Sequence, residues 1–289
     1  MSFRVENLSL TLGGTRILDG IDAAFAPSRV TVVLGPNGAG KSSLLACLAG
    51  LCAPDSGVVR LGGVDRAGLD RRDLARRIGF LPQTADVHWD IDVRTLVALG
   101  RFPHRGRWGA VAADEAAVAA ALAATDVAGL AGRIVNTLSG GERGRALLAR
   151  VLAGTPEWLL VDEPRASLDP AHAIDVLDCL RGIAATGAGV VVVLHDLNQA
   201  ARVADDIVLM KAGRIVMQGP AAAVLTPDAI ATTYGVATHV GEGADGRRFF
   251  VVTGRSKDAS NGPAAPTAGG HCFEPGAPPA RLQGRRPVP

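Results

Sequence analysis

The chain has 289 residues, of which 48% are hydrophobic, and its formal net charge is only +2 at pH 7. This length suits one large domain or two small ones, and the apolar content suits a buried core. Basic residues are spread along the chain without the dense positive surface of a dedicated nucleic-acid-binding protein, so no nucleic-acid partner is predicted. The Arg-rich segment 71–77 is interpreted as a solvated helix face.

The cysteine pattern predicts reduced thiols rather than disulfides or a metal site. Cys47, Cys52, Cys179 and Cys272 form no CxxC pair and no disulfide framework, so the first three are predicted to be core thiols in the cytosol. No apolar run reaches the roughly 18 residues of a membrane-spanning helix, and the N-terminus lacks a signal-peptide pattern. A role at a membrane is therefore expected from the cytoplasmic side, with the help of another protein.

The first part of the chain predicts strands that lead into a glycine-rich loop and a helix. Residues 3–34 alternate polar and apolar positions and end in RVTVVLG, which indicates several strands with a buried last one. After the loop, KSSLLACLAGL has helical spacing. A turn at 54–57 then precedes a short strand in GVVRLGG.

The second part predicts a helical insertion followed by a return to strands. Residues 84–155 show no convincing strand and are predicted to form a helical subdomain. Two buried strands, WLLVDEP and GVVVVLHD, flank a helix over about 171–186, which is the alternation of a parallel α/β sheet. Two hairpins are predicted, at 206–219 and 237–253. The Gly/Pro/Ala-rich residues 255–289 are predicted to be a disordered tail after a domain that spans 1–254.

The segment GPNGAGKS at 35–42 fits the phosphate-loop pattern G-x-x-x-x-G-K-[ST], and it lies between a predicted strand and helix as that pattern requires. Backbone N–H groups of such a loop form a nest for phosphate oxygens at a helix N-terminus. Lys41 is predicted to reach the β- and γ-phosphates, and Ser42 to bind Mg²⁺. The predicted ATP-binding residues are Gly35, Pro36, Asn37, Gly38, Ala39, Gly40, Lys41, Ser42 and Ser43.

Four polar residues at predicted strand ends are the candidates for metal binding and catalysis. Asp162 ends a hydrophobic strand and is predicted to hold Mg²⁺. Glu163 is predicted to orient and deprotonate the attacking water, and His195, at the end of the next buried strand, to contact the γ-phosphate and hold that water. Gln83 is predicted to touch both Mg²⁺ and the water.

The order of the motifs GPNGAGKSS, LPQ, LSGGE, LLVDEP, SLD and VLHD resembles the nucleotide-binding subunit of ATP-binding-cassette (ABC) transporters over residues 3–235. The resemblance implies a P-loop NTPase cassette of the α/β class. Such a cassette has a RecA-like parallel-sheet core, an N-terminal antiparallel β subdomain and a helical signature subdomain. It also implies that Gln83 belongs to the loop between core and helical subdomain, and that Ser167, Leu168 and Asp169 form a dimer-contact loop.

LSGG offers a helix-capping serine and glycines that let N–H groups approach an anion. The resemblance implies that Leu138, Ser139, Gly140, Gly141 and Glu142 close on the ATP of a partner in a head-to-tail homodimer. Three positions depart from the family pattern, and one of them is Arg165, where threonine is commoner. Leu12 stands where an adenine-stacking aromatic is usual, so that Leu12 and Arg16 would supply apolar and cation–π contact, and Gly144 stands where glutamine is usual.

The segments 99–109, 193–220 and 224–236 resemble importers of iron–siderophore complexes, haem and vitamin B12. Either 99–109 is a plain surface loop, or Phe102, His104 and Trp108 lie near a permease. The resemblance implies an ATPase at the cytoplasmic face of the inner membrane, with integral-membrane permease subunits and a periplasmic or extracellular substrate-binding protein. The alternatives are another small-molecule importer, a soluble ABC ATPase of translation or DNA repair, and a regulator that only binds nucleotide. The single cassette disfavours the soluble class, and the Gln83, Glu163 and His195 set disfavours the regulator.

Overall fold

The computed structural model describes residues 2–84, 90–106, 112–164, 170–244 and 246–256. The predicted dimer-contact loop at 167–169, Trp108, Cys272 and all but the first two residues of the predicted tail lie outside these ranges. In chain order the elements are β1 Phe3–Leu12, β2 Thr15–Phe25, β3 Val30–Leu34, α1 Lys41–Ala49, β4 Ser56–Leu61, β5 Val64–Asp65, α2 Arg71–Arg77, β6 Ile78–Leu81, α3 Val93–Ala98, α4 Ala112–Ala124, α5 Gly140–Ala153, β7 Trp158–Asp162, α6 Pro170–Ala185, β8 Gly189–Val193, α7 Leu197–Val203, β9 Asp206–Lys211, β10 Arg214–Pro220, α8 Ala221–Val224, α9 Pro227–Tyr234, β11 Val236–Glu242 and β12 Arg248–Arg255.

The central sheet has the strand order β10-β9-β3-β8-β7-β6, and all its neighbours are parallel except β10 and β9. Every residue of β3, β7 and β8 is buried, which explains their continuous runs of Val and Leu. Because parallel strands share a carboxyl edge, the chain segments that follow β3, β6, β7 and β8 emerge along one side of the sheet. The predicted α/β core is confirmed.

A second sheet is antiparallel, with the order β2-β1-β4-β5, and confirms the predicted N-terminal β subdomain. It packs with α1 on one face of the central sheet, in a buried cluster that includes Leu8, Leu44 and Trp158. Trp158 meets Phe3 edge-on, with ring centroids 4.8 Å apart. The other face of the central sheet carries the larger cluster, which contains buried residues of α3 to α7 and of the C-terminal elements.

The predicted helical region contains α3, α4 and α5, with three-residue 3₁₀ turns at 128–130 and 135–137. Its described residues form no strand, although isolated bridges occur, one of them between Asp92 and Ile134. Residues Leu99–His104 form a longer 3₁₀ segment. An ion pair between Arg101 and Asp114 (2.7 Å) lies buried beneath it, with side chains 9% and 5% exposed.

Several local predictions are confirmed. The Arg-rich segment is helix α2, which begins at the capping residue Asp70 and has no buried residue. The two hairpins are β9–β10 and β11–β12, and the second forms a two-stranded sheet of its own. Cys47 carries a buried reduced thiol as predicted, whereas the reduced thiols of Cys52 and Cys179 are only half-buried. In the described ranges no helix combines the length and the apolar character needed to cross a membrane.

Candidate active site

The phosphate loop, residues 35–42, carries the chain from the end of β3 into α1. Gly38 and Gly40 adopt left-handed backbone angles, with φ of 77° and 94°. A Cβ atom at Gly40 would lie 2.8 Å from the Ile17 carbonyl oxygen, so the position requires glycine. Helix α1 has no side-chain cap, and its first amides are therefore available to an anion.

Lys41 lies across this loop and is only 5% exposed. Its Nζ donates to the carbonyl oxygens of Gly35 (2.8 Å) and Pro36 (3.0 Å). Burial lowers the pKa of Lys41, and the nearby carboxylates of Glu163 and Asp162 oppose that shift. Because both hydrogen-bond acceptors of Nζ in the described residues are neutral carbonyls, Nζ can exchange them for the charged oxygens of a phosphate.

Asp162 is the buried last residue of β7, and its carboxylate forms a hydrogen bond with the Ser42 side chain. Burial raises the pKa of Asp162, while this hydrogen bond acts in the opposite direction. The second carboxylate oxygen, Oδ1, has no hydrogen-bond partner among the described residues. A buried carboxylate oxygen without a partner, beside a hydroxyl, suits a hard cation such as Mg²⁺.

Gln83, Glu163 and His195 meet at the carboxyl ends of β6, β7 and β8. The Gln83 Nε2 donates to Glu163 Oε2 at 2.7 Å, and His195 Nε2 pairs with Glu163 Oε1. The Glu163 side chain is 20% exposed and the His195 side chain 44% exposed. Gln83 was also predicted to bind Mg²⁺, but in this structure its amide faces Glu163 instead of Asp162.

Glu163 itself has a left-handed backbone, with φ of 48°, which is uncommon for a residue with a side chain. Such a conformation costs about 1–3 kcal/mol and persists where the surroundings impose it. Here it turns the chain directly after β7, so that Asp162 remains buried next to Ser42 while Glu163 faces the neighbouring strand ends.

The signature stretch, residues 138–142, leads into α5. Ser139 caps the helix through a capping box: its Oγ accepts from the Glu142 amide (3.3 Å), and its own amide donates to Glu142 Oε2 (2.8 Å). The bond from the Ser139 amide lowers the pKa of Glu142. Ser139 and Gly140 are exposed, while Leu138 and Gly141 are half-buried. Among the described residues, no hydrogen bond or ion pair joins this stretch to the phosphate loop.

The two residues considered for adenine contact lie at the end of the β1–β2 hairpin that approaches Gly40 through Ile17. Leu12 is half-buried. The Arg16 side chain is 62% exposed and pairs with Asp19 at 2.9 Å. An exposed guanidinium at this place keeps a planar face accessible, and its contact with a ring stays a prediction.

The sequence pattern of ABC transporters matches residues 18–166. The chain belongs to the ABC transporter family. As a member it is an ATP-binding cassette, and the phosphate loop and the carboxyl edge of the central sheet are where its nucleotide chemistry is expected.

Individual relatives share most of the cassette. The hemin import ATP-binding protein HmuV of Pseudomonas fluorescens is 46% identical over 245 residues, which are 83% of this chain and 94% of the relative. The cobalamin import ATP-binding protein BtuD of Halobacterium salinarum is 43% identical over 242 residues, and the chain spans only 61% of its length. A solved ABC transporter described as of metal-chelate type, in an inward-facing conformation, is 26% identical with a TM-score of 0.76, covering 87% of this chain and 97% of that one.

Proposed function

We propose that this cassette is the ATP-hydrolysing subunit of an importer for an iron chelate, haem or cobalamin. The observation that carries the hydrolytic part is the convergence of Gln83, Glu163 and His195 at three adjacent strand ends. A protein that only binds nucleotide has no need of a carboxylate held by an amide and an imidazole at this edge.

Catalysis is proposed to use groups that already face one another. Lys41 gives up its carbonyl partners to bind the β- and γ-phosphates, and the loop amides cradle the remaining oxygens. Ser42 and Asp162 would hold Mg²⁺, which when bound offsets phosphate charge. Glu163 accepts a proton from the attacking water, while His195 supports the carboxylate and contacts the γ-phosphate.

Both oxygens of Glu163 are occupied in this structure, one by Gln83 and one by His195. A general base needs an accessible lone pair within hydrogen-bond reach of the water, and these two partners compete with the water for it. The chain runs from Gln83 into the helical region, so a shift of that region would withdraw the Gln83 amide and release Oε2. This proposal gives Gln83 a gating role in addition to its predicted contacts with Mg²⁺ and water.

The signature stretch is proposed to bind the ATP of a second copy of the chain. Its capping box leaves the amides of Gly140 and Gly141 at an exposed helix N-terminus, where an anion is favoured. A head-to-tail pair would then have two composite sites, each with one phosphate loop and one signature stretch. The dimer-contact loop at 167–169 belongs to the same proposal.

Contact with a permease is proposed at the 3₁₀ segment Leu99–His104. Phe102 is 73% exposed there, although the backbone around it is firmly held. Arg72 and Arg76 each donate from Nε to the Pro103 carbonyl oxygen (2.7 and 2.9 Å), and His104 pairs with the Gly154 carbonyl oxygen (2.9 Å). An exposed aromatic on a rigid support is the type of residue that anchors protein interfaces.

The substrate class rests on the relatives. The names of two of them state import of hemin and of cobalamin, and the solved transporter is of metal-chelate type. The proposal includes integral-membrane permease subunits, an external substrate-binding protein and a position at the cytoplasmic face of the membrane.

The test uses the purified chain and cells that lack it. We expect Mg²⁺-dependent ATP hydrolysis, sedimentation with membranes only when the cognate permease is co-expressed, and impaired growth on one of three sources: ferric siderophore, haem or cobalamin. Hydrolysis with normal growth on all three would assign the cassette to another importer class. Hydrolysis with no dependence on any permease would favour a soluble ATPase.

A further inference from the structure

The C-terminal hairpin β11–β12 is fixed to helix α7, which begins just after the catalytic candidate His195. Phe250 of β12 is 5% exposed and belongs to the same buried cluster as Ala200 and Val203 of α7. Within the part of the chain that the structure describes, the hairpin pairs with no other strand, so its attachment to the body depends on contacts of this kind.

Asn198, in the first turn of α7, forms a two-sided hydrogen bond with the backbone of Phe250. Its Oδ1 accepts from the Phe250 amide at 2.6 Å, and its Nδ2 donates to the Phe250 carbonyl oxygen at 3.2 Å. Exchanging both bonds with one residue reproduces a hydrogen-bonded pair of an antiparallel ladder. Asn198 therefore continues the edge of β12 with a single side chain, because its uncharged amide carries a donor and an acceptor on one planar fork.

The same turn of α7 is fixed from its other end by Asp196. This helix-capping residue accepts from the amides of Asn198 (2.8 Å) and Gln199 (3.1 Å). His195 directly precedes it, and its imidazole pairs with Glu163. A displacement of the first turn of α7 would thus be transmitted through Asp196 to the imidazole.

We propose that Asn198 is a positioning residue, which holds His195 against Glu163 by tying the first turn of α7 to the C-terminal hairpin. The role rests on the proposed hydrolytic function of the cassette. The hairpin follows the family's motifs in the chain. In this proposal it helps to hold the catalytic residues in place. Displacement of a catalytic group by about 1 Å can lower a rate about a hundredfold, so a small shift of this turn is enough to matter.

The geometry allows a clean test because Asn198 is exposed while Phe250 anchors the hairpin independently. Asn198→Ala removes the clamp without opening a cavity. We expect kcat for ATP hydrolysis to fall about tenfold, with KM for ATP and the melting temperature nearly unchanged, because the phosphate loop is untouched. Amide hydrogen exchange of residues 196–200 should become faster.

Asn198→Asp distinguishes the clamp from a simple helix-start effect. A carboxylate in the first turn of a helix is favourable, so a residue that only stabilised the start of α7 would tolerate Asp. The clamp would not, since Asp places an oxygen where Nδ2 now donates to the Phe250 carbonyl oxygen. We therefore expect a loss of kcat at least as large as in Asn198→Ala.

Arg248→Ala is the matched control. Arg248 also connects the hairpin to the body, through a bond to the Ala222 carbonyl oxygen (3.2 Å), and among the described residues no hydrogen bond or ion pair joins it to α7. Its kcat should equal that of the wild type. Normal kcat in both Asn198 variants, beside an active wild type, would overturn the positioning role alone, as would equal losses in Arg248→Ala or a rise in KM with a lowered melting temperature. An inactive wild type would overturn the proposed function, and the positioning role with it.

Discussion

The phosphate loop and the signature stretch each begin a helix, and they differ in how that beginning is completed. Helix α1 starts at Gly40 without a side-chain cap, and Lys41 bonds with the carbonyls of its own loop. Helix α5 starts with a full capping box between Ser139 and Glu142. The start of α1 thus lacks a cap until an anion binds there. The start of α5 is already capped by its own side chains, and its remaining amides face outward.

On the proposed function, this difference would divide the work between the phosphate loop and the signature stretch of one cassette. The phosphate loop lies beside Asp162 and Glu163, so binding there can be coupled to chemistry. The signature stretch has an exposed helix start and no bond to that loop among the described residues. A preformed face of this kind suits recognition of a nucleotide that is already bound elsewhere.

The largest expected effect comes from removing the chemistry of the first face while keeping its binding. Glu163→Gln should lower ATP hydrolysis by at least about a hundredfold, because a general base contributes on that scale. ATP binding should persist, since Lys41, Ser42 and Asp162 remain. The turnover and the nucleotide affinity of Glu163→Gln, compared with those of the wild type, test this prediction.

Glu157→Gln provides the control for that measurement. Glu157 lies just before the first residue of β7, at the end of the strand away from Glu163, and it pairs with Arg77. Its loss should therefore leave hydrolysis unchanged. Near-normal turnover in Glu163→Gln would move the role of base to another residue.

A second experiment separates the two faces between two chains. Lys41→Ala damages the phosphate loop and Ser139→Arg blocks the signature stretch, so each homodimer loses both of its sites. In an equal mixture, half of the dimers are mixed and each of these has one intact site, so about a quarter of all sites should recover. ATP-dependent dimer formation, followed by cross-linking, is the readout. If Ser139→Arg alone dimerises and hydrolyses ATP normally, the signature stretch has no role at the phosphate.

A third experiment compares one glycine from each helix. Gly40→Ala should weaken ATP binding about tenfold or more, because its φ is 94° and the new Cβ would meet the Ile17 carbonyl. Gly144 of α5 has an ordinary helical backbone and open space at its Cβ position. Gly144→Ala should therefore stabilise the fold by about 0.5–1 kcal/mol, which thermal unfolding can measure. Equal changes in ATP affinity and in melting temperature for Gly40→Ala and Gly144→Ala would contradict the proposed difference between the two helix starts.

Much of the core could be predicted because its signals are local. The phosphate loop combines a fixed motif with a buried strand before it and a helix after it, and all three lie within 20 residues of sequence, 30–49. The hairpins at 206–219 and 237–253 have turn residues between apolar runs, so neighbouring positions encode them. Continuous valine runs made the buried strands β3 and β8 equally clear.

What the sequence could not specify is which distant segments meet. Gln83, Glu163 and His195 were predicted to meet at one water, but the direct bond from Gln83 to Glu163 depends on β6 lying beside β7, and no local pattern encodes that strand order. The clamp between Asn198 and Phe250 joins a side chain to a backbone 52 positions away. A backbone partner leaves no residue type to detect, so the segment VLHDLN at 193–198 did not reveal the role of its asparagine.

The left-handed backbone of Glu163 bears on how this protein can be improved or can evolve. Glycine and asparagine adopt that conformation more easily than glutamate does. Selection for thermostability alone would therefore favour either of them at position 163, and each would delete the carboxylate that Gln83 and His195 hold. Engineering of a more thermostable cassette should keep Glu163 and change positions such as Gly144 instead.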